Sequence, residues 1–445
     1  MVIMKFGGTS VQNAHYMDKA LDIAVNRLSD GVLLVSSAMS KITDSLIAIT
    51  DAAEKGDEET AMSLVEAMQE RHTSTARDFI TGENLEECEK TLQNRFSRLS
   101  ALVKGLALLR ECSDRSRDAL MAFGELLSTT LLYYRALERG LDAVFLDSRQ
   151  MIITDDNFTE AYPVFEVTNK KIREAIEVRP NRLYIAQGFI GSTEEGATTT
   201  LGRGGSDFTA TIYGAALNVQ EVQIWTDVNG IMTTDPRIVK NAITVPRITY
   251  DEAAELAYFG AKVVHPSTIR PAVLEKIPVS VRNTADAEGI CTTISEEAPG
   301  EGIRAIAGKK NITLINISSS KMLNAYGFLS AIFKVFEHHA TSVDLVATSE
   351  VTVSMTIENT DAIDDIVKDL EVLGEVKVET DKAIICLVGL NLWRDSIFTA
   401  RVFSSIKNIP VRMISLGSSD INLSLVVPQD MMEETILKLH SEFFS

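Results

Sequence analysis

The feature that most constrains the fold is a recurring succession of a buried strand, a polar or glycine-rich turn and a helix. Val2 to Phe6 is a short apolar run that leads into glycines and then into a helical pattern, and Gly31 to Ser37 is a second such run. Short apolar runs bounded by turn residues are typical of buried strands. Because strands and helices alternate over roughly 290 residues, we expect an α/β domain with a largely parallel sheet.

The most informative turn follows a threonine run at 198–200 and reads LGRGGSDFTA before continuing as a helix. Such a turn directs several backbone N–H groups and the positive end of a helix at one point, which suits a phosphate or a carboxylate. Arg203 adds a planar fork of donors that matches a carboxylate. Asp207 is unusual in an anion site, and it suggests catalysis or the organisation of nearby cations. The alternative is a structural turn with an N-capped helix.

A related turn follows the first strand, and Lys5 lies at its mouth. It is not a P-loop, because the GxxxxGK[ST] pattern is absent, and an ordinary turn with a solvated lysine is the alternative. The polar stretch from Ser36 to Thr43 follows the second strand, at the sheet edge where ligands bind in open α/β sheets. Lys262 resembles Lys5 in context, since it also stands beside glycine at an element boundary.

Glu125 is a lone acid in an apolar helix start, MAFGELLSTTLL. It would suit a substrate ammonium, or it would simply favour the helix dipole by roughly 0.3–1 kcal/mol. Thr226 and Asp227 end another strand, and Arg237 follows in TTDPR, so these three are expected to cluster beyond that strand.

The composition excludes several classes of protein. The net charge of −19 argues against a nucleic-acid or anionic-membrane surface. The four cysteines match no zinc or CxxC spacing and fit a reduced compartment. With no visible signal peptide and no apolar run near the roughly 20 residues of a membrane span, we expect a cytoplasmic protein.

The tail contains an internal repeat. Phe328 and Phe398, Ser349 and Ser419, and Glu350 and Asp420 are each 70 positions apart. Each copy reads strand, helix, strand, turn, strand, helix, which predicts two ferredoxin-like βαββαβ modules.

The two copies differ in chemistry. Copy one has Gly327 and Asp344 where copy two has isoleucines, so its two acids, Asp344 and Glu350, have only one counterpart, Asp420. Two acids beside a glycine-opened helix N-terminus could hold a zwitterion, and a dibasic amino acid would suit them best. Two solvated surface acids are the alternative.

Five motifs in order resemble the aspartokinase family over the whole chain: KFGGTSV, TTTLGRGGSDFTA, IWTDV-N-GI, TTDPR and FGAKVVHP. The tail is similar to the ACT domains of the monofunctional, lysine-sensitive type. The resemblance implies an amino-acid-kinase αβα sandwich with a largely parallel sheet, followed by two ACT domains. The expected boundaries are 1–295 for the kinase domain, 296–302 for a linker, 311–380 for the first ACT domain, and 303–310 plus 381–445 for the second.

The resemblance further implies phosphorylation of the β-carboxylate of L-aspartate by ATP with Mg²⁺, the first step towards lysine or diaminopimelate, threonine and methionine. The catalytic residues would be Lys5, Asp207 and Lys262. Aspartate would contact Ser37, Thr43, Glu125, Phe189, Arg203 and Ser206. The nucleotide would contact Lys5, Gly7, Gly8, Thr9, Ser10, Thr226, Asp227, Met232, Arg237, Lys262 and Val263.

By the same resemblance, L-lysine would be the effector, bound in the first ACT domain by Met322, Ala325, Phe328, Leu329, Asp344, Ser349 and Glu350. Met232 stands where the lysine-sensitive members have a tyrosine, and Ala325 where they have a serine. We expect a homodimer or homotetramer through the ACT domains. The alternatives are another kinase of this fold, acting on acetylglutamate or uridylate, and a catalytically inactive ACT-type amino-acid sensor.

Overall fold

The computed structural model describes residues 1–260, 264–298, 300–323, 326–417 and 419–444. Internal contacts divide them into two compact units. The first comprises 1–231 with 264–298, and the second comprises 232–260 with the described residues from 300 onward. None of the helices described is long and apolar enough to cross a membrane.

The strands, numbered along the chain, are β1 Val2–Phe6, β2 Val32–Ser36, β3 Asp142–Leu146, β4 Arg182–Gln187, β5 Ile190–Ser192, β6 Thr198–Thr200, β7 Glu221–Thr226, β8 Arg247–Thr249, β9 Val279–Asn283, β10 Thr292–Ser295, β11 Gly302–Ser318, β12 Val346–Thr348, β13 Thr352–Ile357, β14 Glu375–Leu390, β15 Met413–Leu416 and β16 Asn422–Pro428. The α-helices are α1 Ala14–Val25, α2 Ile42–Glu54, α3 Glu58–Phe79, α4 Gly82–Leu109, α5 Asp114–Met121, α6 Phe123–Glu138, α7 Ser148–Met151, α8 Phe165–Ala175, α9 Gly205–Leu217, α10 Tyr250–Tyr258, α11 Pro266–Leu274, α12 Phe328–His338, α13 Ile363–Glu371, α14 Phe398–Ser405 and α15 Met432–Phe444.

A largely parallel sheet forms the centre of the first unit, which confirms the prediction from strand and helix alternation. Its strand order within the unit is β3-β4-β2-β1-β7-β9-β10. Neighbouring strands in this order run parallel, except that β10 is antiparallel to β9. The parallel strands therefore bring their carboxyl ends to one edge, where the predicted turns follow β1, β2 and β7.

The alternation of side chains along β1 decides where its lysine points. Met4 and Phe6 pack into an apolar core formed with helices α1 to α6. Ile3 faces the opposite side, where a Cβ added to Gly214 of α9 would lie 3.9 Å from its Cγ1. Since successive side chains in a strand point to opposite faces, Lys5 projects on the α9 side of the sheet.

The second unit contains an antiparallel sheet with the order β12-β13-β11-β14-β16-β15. Its two central strands are long and are shared by both repeats. Gly302 at the start of β11 pairs with Leu390 at the end of β14, and Ser318 pairs with Glu375. One core gathers residues of α12, α13 and β13, and another gathers residues of α14, α15 and β16. The prediction of two ferredoxin-like modules is confirmed.

The segment 232–260 groups with the tail because α10 is fastened to it by side chains three residues apart. Glu252 lies 3.5 Å from the guanidinium of Arg304 on β11, and Glu255 accepts a hydrogen bond of 2.7 Å from the Asn422 side chain on β16. Tyr258 at the end of the helix makes the third contact, in which its hydroxyl donates to Asp344 Oδ1 at 2.6 Å. The predicted kinase boundary at residue 295 does not follow this grouping, and the domain boundaries stay predictions.

Candidate active site and effector site

The first turn of the site is formed by Gly7 and Gly8 directly after β1. The Gly7 amide donates to Trp225 O of β7 at 3.0 Å, and the Ser40 amide donates to Gly8 O at 3.1 Å. A Cβ on Gly8 would lie 3.0 Å from Ala38 O, so glycine lets the loop after β2 approach closely. Two loops predicted to hold ligands therefore meet at one sheet edge.

Lys5 and Asp207 form an ion pair between β1 and the first turn of α9. The Lys5 Nζ lies 2.6 Å from Asp207 Oδ1, and the two side chains are 12% and 15% exposed. Asp207 thus holds the ammonium of Lys5 at the opening of both glycine turns. Two residues more than 200 positions apart that the sequence singled out separately are in direct contact.

The LGRGG loop is tightly packed against the strand end before it. Gly202 and Gly204 have φ angles of 70° and 73°, which favour glycine. A Cβ on Gly205 would lie 2.7 Å from Phe189 Cδ2, and a Cβ on Gly188 would lie 2.6 Å from Ser206 Oγ. Phe189 and Ser206, two predicted aspartate contacts, therefore lie against the same loop.

Arg203, the predicted carboxylate ligand in this loop, is exposed. Its guanidinium is therefore accessible to a substrate at the tip of the loop, between two glycines that fix the backbone direction.

Glu125 is buried in the first turn of α6, with 4% of its surface exposed. Its Oε1 accepts a hydrogen bond of 3.1 Å from the Ala38 amide. Burial raises the pKa of Glu125 to about 8, although the Ala38 amide and the charge of Lys5 act in the opposite direction. The acid is therefore near Lys5, as a substrate site that takes both an ammonium and a phosphate would require.

The polar loop after β2 supplies the remaining predicted aspartate contacts. The Ser37 carbonyl accepts a hydrogen bond of 2.7 Å from Ser128 Oγ of α6. Thr43 is exposed in the first turn of α2, which Lys41 enters with a φ of 66°.

The predicted nucleotide contacts of the first unit lie between β1 and β7. Ser10 Oγ is 2.6 Å from Thr284 Oγ1 and is buried. Thr226 Oγ1 donates to Asp227 Oδ1 at 3.2 Å, and Asp227 is exposed beyond the end of β7. Thr9 is partly exposed in the turn after β1.

The other predicted nucleotide contacts belong to the second unit or to undescribed residues. Met232 forms an isolated bridge with Thr244. Arg237 is 87% exposed and pairs with Asp235 at 2.6 Å. Lys262 and Val263 lie outside the described residues.

The sequence analysis missed two threonines that support the site. Thr209 Oγ1 accepts a hydrogen bond of 2.9 Å from the Phe189 amide, which holds a phenylalanine with a φ of 69°. Thr284 contacts Ser10, 274 positions away. A threonine in a helix start or after a strand carries no local signal of such a contact.

The two acids of the predicted effector site differ in surroundings. Glu350 and Ser349 are exposed, whereas the Asp344 side chain is only 4% exposed. Asp344 Oδ1 accepts from the Tyr258 hydroxyl at 2.6 Å and lies 3.3 Å from Lys309 Nζ. The alternative of a solvated surface acid therefore describes Glu350 but not Asp344.

Lys309 completes this cluster by lying 2.9 Å from Glu358 Oε2 and 4.8 Å from the centre of the Tyr258 ring. Burial and the neighbouring Asp344 raise the pKa of Tyr258, so its hydroxyl stays a donor to the carboxylate.

The other predicted effector contacts surround the start of α12. Gly327, with a φ of 80°, precedes Phe328, which packs against the core of the first repeat together with Met322. Leu329 is 41% exposed. Ala325 lies outside the described residues.

Comparisons with known proteins agree with this architecture. Residues 1–283 match the amino acid kinase family, and residues 385–443 match the ACT domain. The lysine-sensitive aspartokinase 3 of Escherichia coli (strain K12) is 37% identical over 462 residues, which cover 100% of this chain and 99% of that protein. The chloroplastic aspartokinase 2 of Arabidopsis thaliana is 36% identical over 464 residues, which cover 99% of this chain and 84% of that protein.

Solved structures match over the full length. The crystal structure of E. coli aspartokinase III in complex with aspartate and ADP has a TM-score of 0.83 at 35% identity and covers 100% of both chains. The structure of that protein in complex with lysine and aspartate has a TM-score of 0.81, again with full coverage of both chains.

Proposed function

The chain belongs to the aspartokinases of the amino acid kinase family, and from this premise we propose that it transfers the γ-phosphoryl group of ATP to the β-carboxylate of L-aspartate. The products are 4-phospho-L-aspartate and ADP. The observation that carries this proposal is the Lys5–Asp207 ion pair at the junction of two glycine turns, with the buried Glu125 near Lys5. The site thus combines a held cation for a phosphate with an acid for an ammonium.

The chemistry asks the protein mainly for positioning and charge neutralisation. A carboxylate oxygen of aspartate attacks the γ-phosphorus, and the bond from phosphorus to the leaving ADP oxygen breaks. No protein base is needed, because a side chain with a reference pKa of about 3.9 is already ionised at pH 7. Lys5 would neutralise charge on the transferring group, and Asp207 would hold Lys5 in place.

Mg²⁺ would enter with the nucleotide. In the described part of the chain, no three His, Cys, Asp or Glu side chains converge to hold a metal. Mg²⁺ usually keeps several waters and binds through one or two carboxylates together with substrate phosphates. The ion would therefore be held mainly by phosphate oxygens, and it would neutralise their charge.

Substrate recognition would divide between the two ends of aspartate. Arg203 would hold the α-carboxylate and Glu125 the ammonium, with Ser37, Thr43, Phe189 and Ser206 around them. Gly7, Gly8, Thr9, Ser10, Thr226 and Asp227 would hold ATP together with Met232, Arg237, Lys262 and Val263.

Inhibition by L-lysine is the regulatory part of the proposal, supported by the similarity to the lysine-sensitive E. coli protein. Lysine would bind the first ACT repeat beside Asp344 and Glu350, and assembly into a homodimer or homotetramer would involve the ACT domains. Because Glu350 is exposed in the second unit, Glu350→Ala is expected to relieve lysine inhibition with little change in the uninhibited rate.

The deciding experiment measures ADP release with Mg-ATP and aspartate, with the acyl phosphate trapped by hydroxylamine, while lysine, threonine and methionine are titrated in parallel. Aspartate-dependent ADP with an equal amount of hydroxamate, suppressed by lysine alone, is the expected result. Activity that does not change with lysine would support the kinase assignment and overturn the proposal that lysine is the effector. No aspartate-dependent ADP would overturn the proposed function.

A further inference from the structure

We propose that Asp118 is a positioning residue that sets the Arg203 loop for aspartate, and this inference rests on the proposed function of Arg203. Asp118 lies in α5, in the first unit, and is 1% exposed. Its side-chain hydrogen bonds go to Thr159 and Thr200 and not to the residues proposed to hold aspartate, so it would act through the backbone that carries Arg203.

The Asp118 carboxylate is used on both oxygens. Oδ1 accepts a hydrogen bond of 2.7 Å from the Thr200 hydroxyl. Oδ2 accepts one from the Thr200 amide and one from the Thr159 amide, both at 2.9 Å. Thr200 ends β6, three positions before Arg203, so one carboxylate fixes both the backbone and the side chain of the residue that leads into the loop.

Thr159, the second residue bonded to Asp118, packs against the Arg203 loop. Thr159 has a φ of 74°, which is strained for a β-branched residue, and its amide donates to Asp118. A Cβ on Gly202 would lie 3.3 Å from Thr159 O, so this turn packs directly under the glycine that precedes Arg203. The Ala161 amide also donates to Thr200 O at 2.9 Å. The turn and the strand are therefore held as one body.

A stabilising role alone does not explain a carboxylate here. Within the described ranges Asp118 takes part in no ion pair, and burial raises its pKa. Burying an unpaired charge is costly unless hydrogen bonds satisfy it. What the anion supplies is three acceptor positions in one plane, which a neutral amide cannot provide.

Asp118 and Glu125 lie on two helices that follow each other almost without interruption. α5 ends at Met121 and α6 begins at Phe123, with Ala122 between them in a helical conformation. The two acids are therefore seven positions apart on nearly continuous helix. One rigid segment would set the distance between the group that takes the ammonium and the loop that takes the α-carboxylate.

The test compares Asp118→Asn with the wild-type protein in steady-state kinetics. The asparagine keeps the shape but has one acceptor oxygen for three donors, so it keeps both amide bonds only if the Thr200 hydroxyl turns to accept from its NH₂ group. Because neutral hydrogen bonds are weaker than those to a carboxylate, the loop should be held less firmly. A displacement of about 1 Å can cost on the order of 100-fold. We expect the KM for aspartate to rise about 10- to 100-fold while the KM for ATP stays within about twofold.

A matched pair of variants on β6 separates positioning from general stability. Thr200→Val removes the hydroxyl bonded to Asp118, whereas Thr199→Val removes one bonded to Thr154 at 2.8 Å. Both threonines are buried in the same strand. Only Thr200→Val should raise the KM for aspartate, and equal effects from the two variants would overturn the proposal. This pair also serves if Asp118→Asn fails to fold.

A substrate analogue gives a readout that a merely structural role would not move. β-Alanine has the ammonium and the acceptor carboxylate of aspartate but lacks the α-carboxylate that Arg203 would hold. Its inhibition constant against aspartate should change less than about twofold in Asp118→Asn. An equal loss for aspartate and β-alanine would overturn the inference.

Hydrogen exchange at residues 201–206 keeps this inference distinct from the proposed function. Faster amide exchange there in Asp118→Asn than in Thr199→Val is expected even if the wild-type protein proves inactive on aspartate. Unchanged exchange would overturn the positioning role, whereas an absence of aspartate-dependent ADP would overturn only the proposed function.

Discussion

At the scale of single residues, Glu125 shows how the fold tunes one acid. The α6 N-terminus and the Ala38 amide favour its anion, and so does the charge of Lys5. Burial favours the neutral form and outweighs all three, since the pKa is raised to about 8. An ammonium brought by a substrate would add a positive charge beside Glu125 and so favour its anion.

This state of Glu125 predicts a pH dependence of aspartate binding. Below about pH 8 the free enzyme holds Glu125 mostly protonated, and a proton must leave before the substrate ammonium pairs with it. The KM for aspartate should therefore fall as pH rises from 6 towards 8, by at most about tenfold per pH unit. Initial rates at saturating ATP measure this.

Glu125→Gln is the control for the pH profile. It should raise the KM for aspartate and make it independent of pH over the same range. A wild-type KM that does not change between pH 6 and 8 would contradict the assignment of Glu125 to the ammonium.

The Lys5–Asp207 pair predicts a loss of turnover without a loss of fold. Lys5→Met removes the cation and Asp207→Ala frees it to move, so each should lower kcat by about 100- to 1,000-fold. Lys104→Met, at an exposed position of α4, is the matched control and should leave kcat unchanged. Near-normal turnover of Asp207→Ala at an unchanged melting temperature would remove Asp207 from the mechanism.

At the scale of elements, α10 connects two regions that the sequence separates. Its side chains at 252, 255 and 258 bind strands β11 and β16 and the residue Asp344 before β12. The FGAKVVHP stretch with Lys262 begins directly after this helix. The helix that contacts the ACT sheet therefore ends, along the chain, at Tyr258, the residue before a motif of the proposed active site.

The Tyr258–Asp344 bond predicts a change in the response to lysine. If an effector ammonium takes Asp344, it competes with the Tyr258 hydroxyl and with Lys309, and Tyr258→Phe removes the first of these two competitors. The lysine concentration for half-inhibition should then fall about tenfold or more, since a hydrogen bond to a charged group contributes about 1.5–3 kcal/mol. Tyr133→Phe in the first unit is the control, and unchanged or weaker inhibition of Tyr258→Phe would exclude the competition.

Sequence reasoning identified the features whose chemical and geometric signal is local. The glycine turns after β1 and before α9 and the lone acid Glu125 each carry their signal within a few residues, and the repeat was visible because homologous positions keep a fixed spacing. It missed Asp118 because the amides it holds lie 41 and 82 positions away. It also could not foresee that α10 joins the tail, since the partners of a helix face are set by tertiary packing.

At the scale of the whole molecule, the shared strands β11 and β14 make the two repeats one cooperative structure. Ile306 belongs to the core of the second repeat and Ile315 to that of the first, yet both lie on β11. Loss of either side chain should therefore lower the stability of both repeats.

This cooperativity predicts that damage in one repeat is detected in the other. Ile315→Ala should lower the free energy of unfolding by about 2–5 kcal/mol. In a Trp225→Phe background, Trp393 is the one tryptophan left. It lies in the second repeat, so its fluorescence reports the unfolding of that repeat. Its urea transition should shift as much for Ile315→Ala as for Ile306→Ala, while Val372→Ala, at a position 77% exposed, should shift it little. A Trp393 transition insensitive to Ile315→Ala would show that the repeats unfold separately.

The pairing of β11 with β14 also orders events on the ribosome. Ile306 is synthesised about 80 residues before its partner Leu387, a delay on the order of 10 s at ordinary rates of translation. During that interval the apolar side chains of Ile303 and Ile306 in the first half of β11 lie on a strand that lacks its β14 partner. An unpaired strand is the kind of segment that recruits neighbouring chains. The nascent tail is therefore most exposed to aggregation between the synthesis of β11 and that of β14, and the emergence of β14 ends this interval.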